Sequence, residues 1–184
     1  MPTTSPQAPS QVHQTEHAIL FEIATEKDSL ILVKMIERFA HESGLGASFS
    51  LSADVLKSML NQADNPLRAI LIYPTLKNAP ENESQPTQSP LPHQPIGFIL
   101  LSTDWATFIG QQVLHLQDIW IEPEWRGKGI GEQAMTYLQQ YAKEHGYARI
   151  QWECAEENVA GQRFYRRIGG VQKGGWQTFE LPTP

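Results

Sequence analysis

Asp118-Ile-Trp-Ile-Glu-Pro-Glu-Trp-Arg-Gly-Lys-Gly-Ile-Gly-Glu132 reads as a β-strand that passes through a glycine-rich turn into a helix. Ile119, Trp120 and Ile121 favour extended backbone. Pro123 ends the ladder because it has no N–H to give, and Gly127, Gly129 and Gly131 let the backbone approach a ligand closely. The helix that follows, from about Gly129 to His145, opens with unpaired amides and the positive end of its dipole. An anion is the expected occupant of the turn.

Competing phosphate loops each require something this turn lacks. A nucleotide-hydrolysing loop needs Gly-Lys-Ser/Thr after its glycines, whereas Lys128 lies between glycines and Glu132 stands where a magnesium-binding hydroxyl belongs. A dinucleotide fingerprint needs Gly-x-Gly-x-x-Gly early in a parallel βαβ unit, and Gly127-Lys-Gly-Ile-Gly131 is spaced differently and lies late in the chain. The pattern Arg126-x-x-Gly129-x-Gly131, after a strand ending Ile-Glu-Pro, resembles the pyrophosphate-binding motif of the GNAT superfamily of acetyl-CoA-dependent N-acetyltransferases.

The 184 residues amount to about one domain. A net charge of −6 argues against generic nucleic-acid binding, which needs a basic footprint. No run approaches the length of a membrane span, and Met1-Pro-Thr-Thr-Ser-Pro6 lacks the basic start and apolar core of a secretory signal, so a soluble cytoplasmic protein without a membrane partner is expected. The single cysteine, Cys154, fits a reducing compartment and reads as packed rather than nucleophilic. The six histidines are scattered, and no metal is expected.

Residues 1–17 are rich in Pro, Ser, Thr and Gln and are expected to be a disordered tail. The same composition returns over residues 74–95, read as a disordered Pro/Gln-rich loop inside a single domain spanning 18–184. Hydrophobic patterning places a strand at Ala18–Ile23, helices at Glu26–His41 and Ser52–Gln62, and strands at Arg68–Tyr73, Pro95–Ser102 and Val113–Ile121. Ser52 and Asp54 are candidate caps for the second helix. After the glycine turn, Ile130, Ala134, Leu138, Tyr141 and Ala142 mark one helix face. A strand at Ala148–Cys154, a helix from Asn158 to Ile168 and a hairpin of Gly170–Lys173 and Trp176–Leu181 complete the order βααβββαβαββ. That is an α/β protein of the α+β type: a twisted, mixed, mostly antiparallel sheet of about seven strands, with helices on both faces. The order matches the GNAT fold.

Within the superfamily, Leu116–Gly131, Asn158-Val-Ala-Gly-Gln-Arg-Phe-Tyr-Arg-Arg-Ile-Gly169 and Gly175-Trp176 are most similar to the diamine (spermidine/spermine) acetyltransferase branch. The resemblance implies a homodimer that uses acetyl-CoA as cosubstrate and acetylates a small amine by direct attack. It implies that the turn from Arg126 through Gly127, Lys128, Gly129, Ile130, Gly131 and Glu132 holds the CoA pyrophosphate. The backbone of Ile119, Trp120 and Ile121 would pair with the pantetheine and the thioester carbonyl. By the same resemblance Asn158 and Gly161 face the CoA arm, and Tyr165 protonates the leaving thiolate; a phenol is protonated at neutral pH and can serve. Asp118, Trp152, Glu153 and Trp176 are the candidate acceptor-binding residues.

The chain departs from the branch at the proton acceptor. Where the branch carries Leu-Glu-Asp, this sequence has Leu116-Gln117-Asp118, and an amide cannot accept a proton usefully. Asp118, Glu122 or Glu153 acting through a water, or deprotonation by solvent, would have to substitute. Positions the branch uses for a polyamine are Ser43, Ala106, Phe108 and Gly174 here, although Glu42, Glu153, Glu156 and Glu157 offer carboxylates. A small primary amine, a diamine or an amino-acid side-chain amine is the expected acceptor. The alternative that Gln117 motivates is a non-catalytic CoA-binding sensor of the same fold.

Overall fold

A computed structural model of the chain describes residues 18–62, 67–75 and 94–175, together with Phe179 and Leu181. The tail 1–17, most of the expected loop and Trp176 lie outside the described residues. The chain divides into two compact units, one ending at Trp152 and one beginning at Glu153.

In the first unit, strands β1 (Ala18–Ile23), β2 (Arg68–Thr75), β3 (Gly97–Ala106), β4 (Gln111–Ile121) and β5 (Ile150–Gln151) form one five-stranded sheet in that order. Neighbours are antiparallel up to β4, and β4 pairs with β5 in parallel. Helices α1 (Ser29–Glu42) and α2 (Ala53–Asn61) precede β2, and α3 (Ile130–Glu144) joins β4 to β5. The described order thus follows the sequence reading through the helix of the second unit, α4 (Val159–Arg167). The sheet has five strands among the described residues; of the hairpin expected to bring it to about seven, Gly170–Lys173 is irregular and most of Trp176–Leu181 lies outside the described residues. The strand expected over Ala148–Cys154 contracts to Ile150–Gln151, because only Leu114 and His115 of β4 pair with it.

Strand alternation fills both faces of the sheet. Ala69, Leu71 and Tyr73 of β2 and Phe98 and Leu100 of β3 pack with Leu32 and Met35 of α1 and Leu56 of α2 in one core. The intervening Ile70, Ile72 and Ile99 are equally buried on the other face. There Phe21, opposite Ile72, stacks on Tyr137 of α3 at 4.6 Å, and Ile130, Ala134, Met135, Leu138, Tyr141 and Ala142 of α3 are buried. Each fully buried large side chain of this kind contributes about 1.5–3 kcal/mol. Ser52 caps α2, its Oγ accepting from the Val55 N–H at 3.2 Å.

Pro74, expected in the loop, instead lies in β2 opposite Ile19, one residue before the strand ends at Thr75. Its missing donor is harmless there. The Ile72 carbonyl, two residues earlier, faces β3 and accepts from Ile96, so the Pro74 nitrogen faces the same way, beyond the last β2–β3 pair at Ile72–Gly97. Gly97 is required by close approach: a Cβ there would lie 2.5 Å from the Trp120 carbonyl oxygen.

Candidate active site

The register of β3 with β4 slips between Leu100 and Leu101, whose partners are Asp118 and Leu116. Gln117 is therefore the extra residue of a β-bulge. Hydrogen-bond parity confirms the slip: before it Leu114 donates toward β5, to the Arg149 carbonyl at 3.0 Å, whereas after it Glu122 donates toward β3's side, to Ile96 at 2.8 Å. Bulges re-aim side chains and concentrate beside active sites. Here the bulge puts consecutive residues on one face. Gln117 Nε2 donates to Ser102 Oγ at 2.8 Å, and Asp118 stands opposite Leu100, which shares Ser102's face.

Beyond His115 no described strand pairs with the outer edge of β4. By alternation from Glu122, the N–H groups of Trp120 and Asp118 face β3, and those of Ile119 and Ile121 face the open edge. Of the three residues whose backbone the resemblance assigns to pantetheine, Ile119 and Ile121 thus offer donors outward, while Trp120 spends its own within the sheet. Its buried indole packs beside Phe98, with 6.0 Å between ring centroids.

From Ile121 the chain makes a single 3-10 turn, Pro123–Trp125, and enters the glycine turn. Gly127 and Gly129 take φ values of 74° and 76°, a region that L side chains avoid. Gly129 is the residue before α3 and supplies no side-chain cap. The first backbone bond of the helix runs from the Gln133 N–H to the Gly129 carbonyl at 3.2 Å. The amides of Ile130 and Gly131 consequently have no backbone or side-chain acceptor among the described residues. A Cβ built on Gly127 meets nothing within 4 Å, so the space beside the turn is open. Gln133 Nε2, in the same first turn, is a buried donor lacking a partner. This donor-rich, open turn fits a phosphate group.

The basic side chains of the turn are engaged elsewhere. Arg126 Nε donates to the Ile121 carbonyl at 2.8 Å and Nη2 to Glu42 Oε2 at 2.6 Å, and the Lys128 ammonium lies over the Trp125 ring at 4.7 Å. Glu42 Oε2 also accepts from Trp120 Nε1 at 3.0 Å. Burial pushes the Glu42 carboxyl up, but the hydrogen bonds of Arg126 and Trp120 and the charges of Arg126 and Arg38 outweigh it and hold the group below its ordinary value. Glu42 is thus a neutralised partner rather than a free carboxylate.

Asp118 differs. It is half-buried, no partner stands beside it among the described residues, and burial pushes its carboxyl above the usual range. Glu122, the other acid near the bulge, is buried and bound to Arg38 Nη1 at 2.5 Å, with Oε2 left unpaired. Burial raises its carboxyl and Arg38 opposes the rise.

In the second unit, Asn158 caps α4, its Oδ1 accepting from the Gly161 N–H at 2.8 Å. A Cβ on Gly161 would lie within 2.6 Å of the Asn158 amide, so glycine is what lets the cap close. Tyr165 is half-buried, with its ring edge-on to Phe164 at 5.2 Å. Glu153 is exposed, and Trp152, the last residue of the first unit, is half-buried. Cys154 is half-buried near the Ala155 and Asn158 carbonyls, and burial raises its thiol. Sequence reading missed the bulge itself and the engagement of Arg126 by Glu42. A bulge depends on the partner strand, and the ion pair joins residues 84 apart.

A mixed sheet whose fourth strand is open along one edge and runs into an uncapped, glycine-rich helix start defines the protein as α+β. The chain belongs to the acetyltransferase (GNAT) family, whose sequence profile matches residues 72–170. It is 23% identical over 172 residues to a thialysine N-epsilon-acetyltransferase of Sus scrofa, covering 89% of this chain and 92% of that one. It is 27% identical over 85 residues to the L-ornithine N5-acetyltransferase of Arabidopsis thaliana, covering 46% of this chain. The chain spans only about a third of the plant relative, 37% of its length, and 36% of an archaeal N-acetyltransferase. Among solved structures, an aminoglycoside acetyltransferase from an uncultured soil metagenomic sample, in complex with sisomicin, superposes with a TM-score of 0.68 at 16% identity. That match covers 90% of this chain and 97% of the other, and it shows the shared fold.

Proposed function

We propose that the protein is an acetyl-CoA-dependent N-acetyltransferase whose acceptor is the primary amine of a small molecule, attacked directly in a ternary complex. The observation that carries this reading is the open edge of β4, where the N–H groups of Ile119 and Ile121 lead into the uncapped amides of Ile130 and Gly131. Acetyl-CoA, when bound, supplies the acetyl group as a thioester. The turn from Gly127 to Glu132 holds its pyrophosphate through backbone donors, and the N–H of Ile119 faces the edge along which the thioester carbonyl would lie. Donors fixed before reaction contribute a few kcal/mol each in comparable sites.

Asp118 takes the proton of the attacking amine. The bulge sets it beside Gln117, on the same face, and burial raises its carboxyl, which makes its carboxylate a stronger base than an exposed one. By family resemblance, Tyr165 would protonate the leaving thiolate, Asn158 and Gly161 would serve in CoA binding, and Trp152, Glu153 and Trp176 would serve in acceptor binding.

The acceptor is an amino-acid side-chain amine or a short diamine, such as the ornithine and thialysine named for two relatives. Glu42 is spoken for by Arg126, which leaves a long polyamine with one fewer carboxylate. Residues 18–184 are taken as one functional domain acting in a soluble, cytoplasmic homodimer, a state that light scattering would check.

Thiol release from acetyl-CoA across ornithine, thialysine, putrescine, spermidine and an aminoglycoside tests the reading; turnover confined to the short amines supports it. Tyr165→Phe should lower kcat with little change in CoA affinity. The exposed Gln117 amide favours one second reading, a CoA-binding sensor, which predicts CoA binding with no thiol release for any amine.

A further inference from the structure

We propose that Glu42 is a positioning residue for the phosphate-binding turn and acts through Arg126. The inference rests on the reading of that turn as the CoA pyrophosphate site. Arg126 is the last residue before the left-handed Gly127, in extended conformation with φ −71° and ψ 158°. Its guanidinium commits Nε to the Ile121 carbonyl and Nη2 to Glu42. Those nitrogens belong to one planar fork, so the pair of bonds fixes the fork's orientation. It is turned back toward the end of β4 and the last turn of α1, with its carbon 5.9 Å from the Trp120 ring centroid.

The C-terminal end of the same helix holds the other parts of the strand exit. Glu42 takes the Trp120 indole N–H, and Arg38, one turn earlier, lies 5.2 Å from the centre of the same ring while binding Glu122. Residues 120–126 are thereby tied to α1 at Trp120, Glu122 and Arg126, immediately before the turn. The turn has no side-chain cap of its own. Its backbone donors keep their direction because the segment feeding them is anchored, and Glu42 is the acceptor common to two of the three ties. An arginine in a phosphate motif would otherwise be expected to reach the anion. Here it is a strut, and anion recognition falls to the amides.

The two roles of Arg126 predict opposite effects of removing Glu42. If Arg126 were a phosphate ligand held in check, loss of Glu42 would release it and tighten CoA binding. If it is a strut, binding weakens. The test is CoA affinity of the full chain by calorimetric titration, for the wild type, Glu42→Ala, Glu42→Gln, Arg126→Ala and the double variant Glu42→Ala/Arg126→Ala.

Each alanine variant is expected to bind CoA roughly three- to tenfold more weakly, the scale of a half-exposed charge-assisted pair. The double variant should be no worse than the weaker single, because both remove one device. The KM for the amine should stay within about twofold, since uniform damage to the fold would move both substrates. Glu42→Gln keeps an acceptor for Trp120 and is the variant to read if Glu42→Ala does not fold; it too should weaken CoA. CoA binding equal to or tighter than wild type in Glu42→Gln or Glu42→Ala, or additive losses in the double variant, overturns the proposal. A wild-type chain that fails to bind CoA overturns the reading of the turn itself, a distinct result.

Discussion

Gln117 and Asp118, consecutive in the chain, present their side chains on the same face of the sheet, because β4 bulges between the partners of Leu100 and Leu101. The residue that replaces the expected acid is hydrogen-bonded to Ser102, and the acid beside it is half-buried and holds its proton more tightly than usual. Asp118→Asn should therefore lower kcat by about 10²-fold or more, the ordinary contribution of a positioned base. Gln117→Ala should cost much less. Steady-state rates of thiol release check both, and equal losses at the two positions would remove Asp118 from the base role.

The same carboxyl makes a pH-dependent contribution to stability of known sign. Its folded value lies above its unfolded one, so the folded state binds the proton more tightly. The associated stability is full below the ordinary aspartate range and is lost as pH rises through the raised folded value. Above that window the buried charge is a cost. Asp118→Asn should accordingly leave Tm unchanged or slightly higher at neutral pH while activity falls, and thermal melts at pH 4 and pH 7.5 would show the difference.

What could be read from the chain alone follows a physical division. The turn at Gly127 and Gly129 was legible because its left-handed backbone admits glycine far more readily than other residues, and the face of α3 was legible because burial repeats with the helical period. Strand boundaries were less so: Pro74 belongs to β2 because, among the described residues, no strand pairs on the side its nitrogen faces, which depends on where β3 stops pairing. The bulge at Gln117 and the grip of Glu42 on Arg126 were invisible for the same reason. Each is a relation to a distant segment, and local pattern carries no record of it. Asn158, assigned to the CoA arm by resemblance, has a capping role that an Asn before an amphipathic run could have signalled.

That cap separates two roles of Asn158. Asn158→Ala removes the acceptor for the Gly161 N–H and should destabilise α4 by about 1 kcal/mol. Asn158→Ser keeps a capping oxygen but has no amide to offer a ligand. Hydrogen exchange over Val159–Arg167 should quicken in the alanine variant and stay near wild type in the serine variant. If Asn158 also contacts CoA, both variants will bind it more weakly.

Arg38 and Glu122 pair in the strand-exit cluster, the acid buried and the arginine exposed, and they are not equivalent. Arg38→Ala leaves a buried carboxylate whose Oε2 already has no partner. Removing the guanidinium also removes the influence that opposes the effect of burial, so the Glu122 carboxyl rises further. Arg38 is half-exposed, and the cost should be on the order of 1 kcal/mol at neutral pH after solvent screening. The loss should shrink as pH falls and Glu122 is neutralised, since a raised folded value destabilises the ionised form. Glu122→Gln in the Arg38→Ala background should recover part of the stability, measured by urea midpoints at pH 5 and pH 8.

Gly129 links the fold to the proposed anion site most directly. Its φ of 76° lies where a Cβ-bearing residue is strained by about 1–2 kcal/mol. Gly129→Ala should lower stability by about that amount and, by turning the chain before Ile130, misdirect the amides of Ile130 and Gly131. Asparagine tolerates left-handed backbone better than alanine does, so Gly129→Asn should be the milder of the two in both Tm and CoA affinity. A steric explanation predicts the reverse ranking, because asparagine is the larger side chain. Calorimetric titration of CoA into the two variants distinguishes backbone direction from simple obstruction: tighter binding by the asparagine variant points to the amides, and tighter binding by the alanine variant points to bulk.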